Sequence, residues 1–343
     1  MPDLPARPDR GQLRRQAKDL LRAASAGDTE ALRRIRAVSD RPVLASAQLA
    51  VARAYGFASW PRLRLEVLRR EVLNMGDPVR LRALLGEEPG LAVAPMEHWC
   101  DHPKGASPLG YVAMLRYDTS LRVWGDVAGA GELARALIEA GAPVDGDPGD
   151  RETPLITAAS YGDAAVAGVL VEAGADLQAR AAPDAGGVPG GSALLHAAVF
   201  GMTEVIDVLI AAGARPAGIE EAAAAGDLNA HLTPHTPLQA RIRALVMAAD
   251  HQRLAVIDQL LAAGTPVDAI DARWGRQALR VAAQDGRADS VEHLLACGAD
   301  PNLRDPRHHR TALECCRRAR AAVVDLTAHD HVEAILQPVT TAG

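Results

Sequence analysis

"TPLITAASYGDAAVAGVLVEAGADLQA", Thr153 to Ala179, is the stretch on which the fold turns. It reads as two short apolar helices parted at Gly162, with Gly174 closing the second. The plan returns in "SALLHAAVFGMTEVIDVLIAAGARP" from Ser192, in "RALVMAADHQRLAVIDQLLAAGTPVDA" from Arg243 and in "QALRVAAQDGRADSVEHLLACGADPNL" from Gln277. The closing glycine falls at Gly141, Gly174, Gly213, Gly264 and Gly298, in steps of 33, 39, 51 and 34 residues. A period near 33, stretched by insertions, marks one helix pair per unit.

The grammar inside each unit supports this. Thr153 and Ser192 are placed to cap the first helix, Pro108 and Pro154 suit its first position, and Gly162, Gly201 and Gly286 can end it in a left-handed turn. The pairs Ala158-Ala159, Ala197-Ala198, Ala248-Ala249 and Ala282-Ala283 let neighbouring helices approach closely. Counting back from the closing glycines gives the stripes Ile206, Leu209, Ile210; Ile257, Leu260, Leu261; and Val291, Leu294, Leu295. One unit cannot bury such a stripe alone, so the units must stack as a solenoid.

"TPLITAASYGD...VLVEAGAD" and "GADPNLRD...RTALECC" resemble ankyrin repeats, and the resemblance covers roughly Glu66 to Leu336. It implies an all-α, ankyrin-type helix-pair solenoid with fingers between repeats. "NMGDPVRLRALLGEEPGLA" resembles an N-terminal cap within about 66–95, repeats follow over about 104–302, and "IEEAAAAGDLNAHL" is a broken unit near 215–240. A C-terminal cap takes about 303–338. The family's usual His after Thr-Pro-Leu is replaced by Gly110, Ile156, Leu195, Val246, Arg280 and Glu314, so the Thr–His bonding that braces ankyrin fingers is expected to be missing.

Residues 1–65 differ. They read as a small module of amphipathic helices ahead of the solenoid at 66–343, and "AQLAVARAYGFASW" resembles a module that precedes ankyrin repeats in many bacterial proteins. Residues 1–70 carry 15 Lys and Arg against 7 Asp and Glu, a net +8, which leaves −14 for the rest of a chain whose total is −6. A helix-turn-helix is a second reading of this head, with Ser59 opening a helix that bears Arg62 and Arg64 and would face nucleic acid. Trp60 and Pro61 stand where base-reading polar groups are expected, and favour a basic cap docked on the solenoid.

Aromatics are only 3% of the chain. No apolar run approaches the roughly 20 residues that span a bilayer, and the opening lacks a secretory pattern, so a cytoplasmic protein without membrane contact is expected. Cys100, Cys297, Cys315 and Cys316 have no disulfide spacing. His98, Cys100, Asp101 and His102 form the inventory of a metal or thiol site, but Pro95 and Pro103 bracket them and oppose the helix that would align the imidazoles. Walker, dinucleotide, zinc-protease and serine-hydrolase motifs are absent. "DAGGVPGGS", Asp184 to Ser192, lacks a phosphate-holding Lys and reads as a long flexible finger.

The expected function is therefore a non-catalytic scaffold or adaptor, without cofactor or metal, acting as a monomer on an unidentified protein partner. Fingers and insertions hold three of the four Trp, and Trp, Tyr and Arg are the usual anchors of protein interfaces. The expected binding residues are Trp99, Tyr111, Trp124, Arg151, Arg273, Trp274, Arg307 and His308, joined in the first insertion by Arg116 and Tyr117. A nucleic-acid regulator using the head, and an atypical enzyme or ligand-binding protein using 96–130, are the alternatives.

Overall fold

Polar side chains start the helices of the head. In the computed structural model, which describes Leu4 and residues 8–96, 107–118, 123–323 and 325–341, Asp9 caps α1 (Arg10–Ser25) and Asp28 caps α2 (Thr29–Arg36). α3 (Leu44–Ala54) follows, and Ser59 caps α4 (Trp60–Asn74) by accepting from the Arg62 amide. Leu13, Leu20, Ile35, Val51, Phe57, Trp60 and Leu63 form their common core. Trp60, at the leading edge of α4, is thus spent on packing, and the expected boundary at 65/66, where the repeat resemblance begins, falls inside α4.

Beyond that core, α4 carries a buried charge network. Glu66 accepts from Arg69 and from Arg70 Nε at 3.0 Å, and all three are 5% exposed or less. Arg69 also donates to the carbonyls of Leu91 at 3.0 Å, Ala94 at 2.7 Å and Pro95 at 3.0 Å. Arg69 therefore holds a neighbouring backbone segment, and Arg70 is turned inward onto Glu66, instead of facing solvent.

By packing, the chain divides into two compact units: residues up to 115 with 127–147, and residues 116–118, 123–126 and 148 onward. The first also holds α5 (Pro78–Glu87), α6 (Pro108–Ala113) and α7 (Ala130–Glu139). Here the turn after α4 and the start of α7 meet backbone to backbone. A Cβ on Gly76 would lie 2.1 Å from the Ala128 carbonyl oxygen, and one on Gly129 would lie 2.5 Å from that of Gly76.

The second unit opens with a two-residue hairpin, β1 (Tyr117–Asp118) and β2 (Val123–Trp124), that sequence reading leaves as an insertion. Helix pairs follow: α8 (Pro154–Tyr161) with α9 (Ala164–Glu172), and α10 (Ala193–Val199) with α11 (Thr203–Ala211). α12 (Ile219–Ala225) is the broken unit, one helix without its own partner. α13 (Leu238–Asp250) with α14 (Leu254–Ala262), α15 (Ala278–Gln284) with α16 (Ala288–Ala296), and α17 (Ala312–Arg320) with α18 (Thr327–Leu336) complete the stack. Thr153 and Ser192 cap α8 and α10 as expected, and Thr311 caps α17 in the same way. The closing glycines all have positive φ. Ile206, Leu209, Ile257, Leu260, Val291 and Leu294 are buried, whereas Ile210, Leu261 and Leu295, a further turn-fraction round each helix, are only half-buried. No helix among the described residues is long and apolar enough to cross a membrane.

Candidate functional site

Tyr117 and Trp124 are cross-strand neighbours in the hairpin, and Tyr161 ends α8. Their rings converge. Centroids lie 4.9 Å apart for Tyr117–Trp124, 5.9 Å for Trp124–Tyr161 and 6.5 Å for Tyr117–Tyr161, with planes tilted by 37–46°. Such tilted contacts add about 0.5–1.5 kcal/mol per pair beyond area burial. All three residues stay half-buried, so one side of the cluster remains open. Arg116 beside it donates to the Gly162 carbonyl and pairs with Asp126 at 2.9 Å. β2 is further tied to the α17–α18 connection by a bridge between Trp124 and Val323.

A second patch lies on the fingers. Trp274 is 39% exposed, and the Arg273 guanidinium carbon sits 5.0 Å from its ring centroid. Arg307 and His308 are exposed on the next finger. Arg151 is exposed, 3.3 Å from Asp184. One expectation changes. Tyr111 is only 3% exposed, because it lies within α6 and its hydroxyl donates to Asn74 Oδ1 at 2.6 Å; it is not surface. Trp99, with His98, Cys100, Asp101 and His102, lies outside the described residues. Tyr161 escaped sequence reading, since only the folded register brings it to a hairpin 37 residues earlier.

The fingers are braced by groups other than a His at the family's usual position. Asp271, 1% exposed, accepts from the amides of Arg273 at 3.2 Å and Trp274 at 2.6 Å, and Asp305 from those of Arg307, His308 and Arg310 at 2.9, 2.5 and 3.1 Å. Aspartate can close a turn on the amides that follow it in this way. Arg280, in the usual His position, donates to Gly275 O and comes within 4.0 Å of Asp305. In the Asp184–Ser192 finger the buried His196, one position later than the family's, accepts from Val188 N at 3.0 Å and pairs its Nδ1 with Ser192 O at 2.9 Å. That finger is tied at its tip.

Several ionisable groups are enclosed in the stack. Asp250 has no exposed surface; burial, then Asp285, holds its carboxyl well above the ordinary range, against Arg276 and Arg287. Its neighbour His251 pairs Nε2 with Ala198 O and Nδ1 with the Thr203 hydroxyl, both at 2.9 Å, and burial pushes its pKa down to about 3. Groups so enclosed offer a substrate no approach. The Cys316 thiol, pushed up to about 11 by burial and then by Glu333, donates to His329 O; a protonated, buried thiol is packing, not a nucleophile.

The ankyrin-repeat family model matches residues 150–182 and 274–306. The chain carries ankyrin repeats. Each match spans one helix pair, α8–α9 and α15–α16, with parts of the fingers on either side, and the second includes both Trp274 and Asp305. Among solved structures, a crystal structure of the human ASB11 ankyrin repeat domain is 21% identical, covers 69% of this chain and 99% of that one, and has a TM-score of 0.32. No curated protein matches. Ankyrin repeats are protein–protein interaction modules, which makes the exposed rings and finger arginines the first groups to test.

Proposed function

We propose that this ankyrin-repeat chain is a non-catalytic, cytoplasmic scaffold that grips a protein partner with its fingers and the Tyr117–Trp124–Tyr161 cluster, residues 1–65 serving as a cap to the repeats at 66–343. The observation that carries the reading is the ring cluster. A chain with four Trp, four Tyr and two Phe gathers three of these rings on one half-open surface, where they offer rigid contact area at low entropic cost. The exposed Arg273–Trp274 pair gives a second anchor of the same chemistry.

The test is quantitative affinity capture with intact protein and with Trp124→Ala and Trp274→Ala, each checked for unchanged melting, followed by titration of the captured partner. Each substitution is expected to weaken binding by about 2 kcal/mol, roughly 30-fold, as hot-spot truncations do. Folded variants that hold the same partner equally well would overturn the proposal. Loss of stability alone would assign the rings to packing.

A further inference from the structure

The outer helices of two successive repeats present a ligand set that the binding surface does not use. His293 on α16 and Cys297 at its C-cap are four residues apart, so both face one side of the helix. Asp258, on α14, stands 35 residues before His293, one repeat earlier, and stacking brings it alongside. His293 Nε2 lies 2.7 Å from Asp258 Oδ1, and one ligand atom from each of the three residues falls within 4.8 Å of the others.

We propose that Asp258, His293 and Cys297 bind a borderline-soft divalent cation of the zinc class, clamping α14 to α16. Imidazole, carboxylate and a sulfur donor together are zinc's ligand chemistry, whereas magnesium and calcium prefer oxygen alone. Tetrahedral bonds of ~2.0–2.3 Å space ligand atoms about 3.3–3.8 Å apart. The His293–Asp258 contact is shorter than this and the outer limit of the cluster is longer. Both can be met by side-chain rotation without moving a helix, since Asp258 and Cys297 are exposed and His293 is partly so. Three protein ligands leave the fourth position for water. Without metal, the Asp258–His293 pair is a surface contact worth little. With it, the ion links two neighbouring repeats, the interface on which solenoid stability depends.

The experiment titrates the full-length reduced protein, stripped with chelator, with Co²⁺ and with Zn²⁺. Expected are one equivalent of bound ion, a sulfur-to-cobalt charge-transfer band that zinc abolishes, and a higher melting temperature with zinc. Cys297→Ser should remove the band, and His293→Ala or Asp258→Asn should weaken zinc by at least about 10–100-fold, the cost of disturbing even the outer shell of a zinc site. Cys100→Ser, Cys315→Ser and Cys316→Ser should leave band and affinity in place. A band that survives Cys297→Ser, one lost only in Cys100→Ser, or no band at all overturns the proposal. So does one that forms only with dimerisation, seen by sizing.

Discussion

Replacing Arg69 by Leu tests whether the buried charge network organises the first unit. Arg69 donates to Glu66 and to the carbonyls of Leu91, Ala94 and Pro95, at 2% exposure. Its removal leaves three carbonyls without this donor, at about 1–3 kcal/mol for each that stays buried and unsatisfied. Leucine returns about 2 kcal/mol of apolar burial, and Glu66 keeps Arg70, so the worst case of an isolated buried charge does not arise. The net expectation is a loss of about 3 kcal/mol, or ~10 °C in the transition of the first unit. Calorimetry of the full chain measures it, and hydrogen exchange locates it: amides over residues 89–96 should exchange faster. Arg33→Ala, which removes only the fully exposed pair with Glu30, should melt like the parent. Equal melting of Arg69→Leu and Arg33→Ala, or unchanged exchange at 89–96, would refute the reasoning.

Three further outcomes are expected. His251 is neutral in the fold with a pKa of about 3 against ~6.5 unfolded, so its contribution to stability is intact above pH ~6.5 and is lost as pH falls towards 3; at pH 5 the loss is about 2 kcal/mol. Denaturant titrations at pH 7 and pH 5 should show His251→Gln losing less stability than the parent over that interval, and parallel slopes would contradict the assignment. Gly76→Ala forces a Cβ into the Ala128 carbonyl at positive φ, and urea melts should show a loss of at least about 1 kcal/mol. Deleting residues 303–343 removes Leu313, Val332 and Leu336 from the core and uncovers α15 and α16, so light scattering should detect aggregation; a stable, soluble monomer would argue against their capping role.

The repeat was legible because its signal is local and recurrent: caps, closing glycines and stripes recur within each unit. What failed to show depends on register. Tyr161 looked like an ordinary helix end until the hairpin folded over it, and Asp258 joins His293 and Cys297 only through stacking. Glu66, Arg69 and Arg70, at three- and four-residue spacing, read like any solvated helix face, since sequence does not reveal that backbone carbonyls crowd round them. The role of the finger aspartates is hidden for a related reason. Asp271 lies in a polar loop, yet it turns inward because amides of its own loop need an acceptor.

That inward turn separates two kinds of change. Asp271 and Asp305 shape their loops from within, through main-chain amides, so a loop's form does not depend on which side chains its tip displays. Arg273, Trp274, Arg307 and His308 could be exchanged, by drift or by library design, with the stack beneath undisturbed. Recognition could then be rewritten one finger at a time on an inherited frame, provided each anchoring aspartate stays.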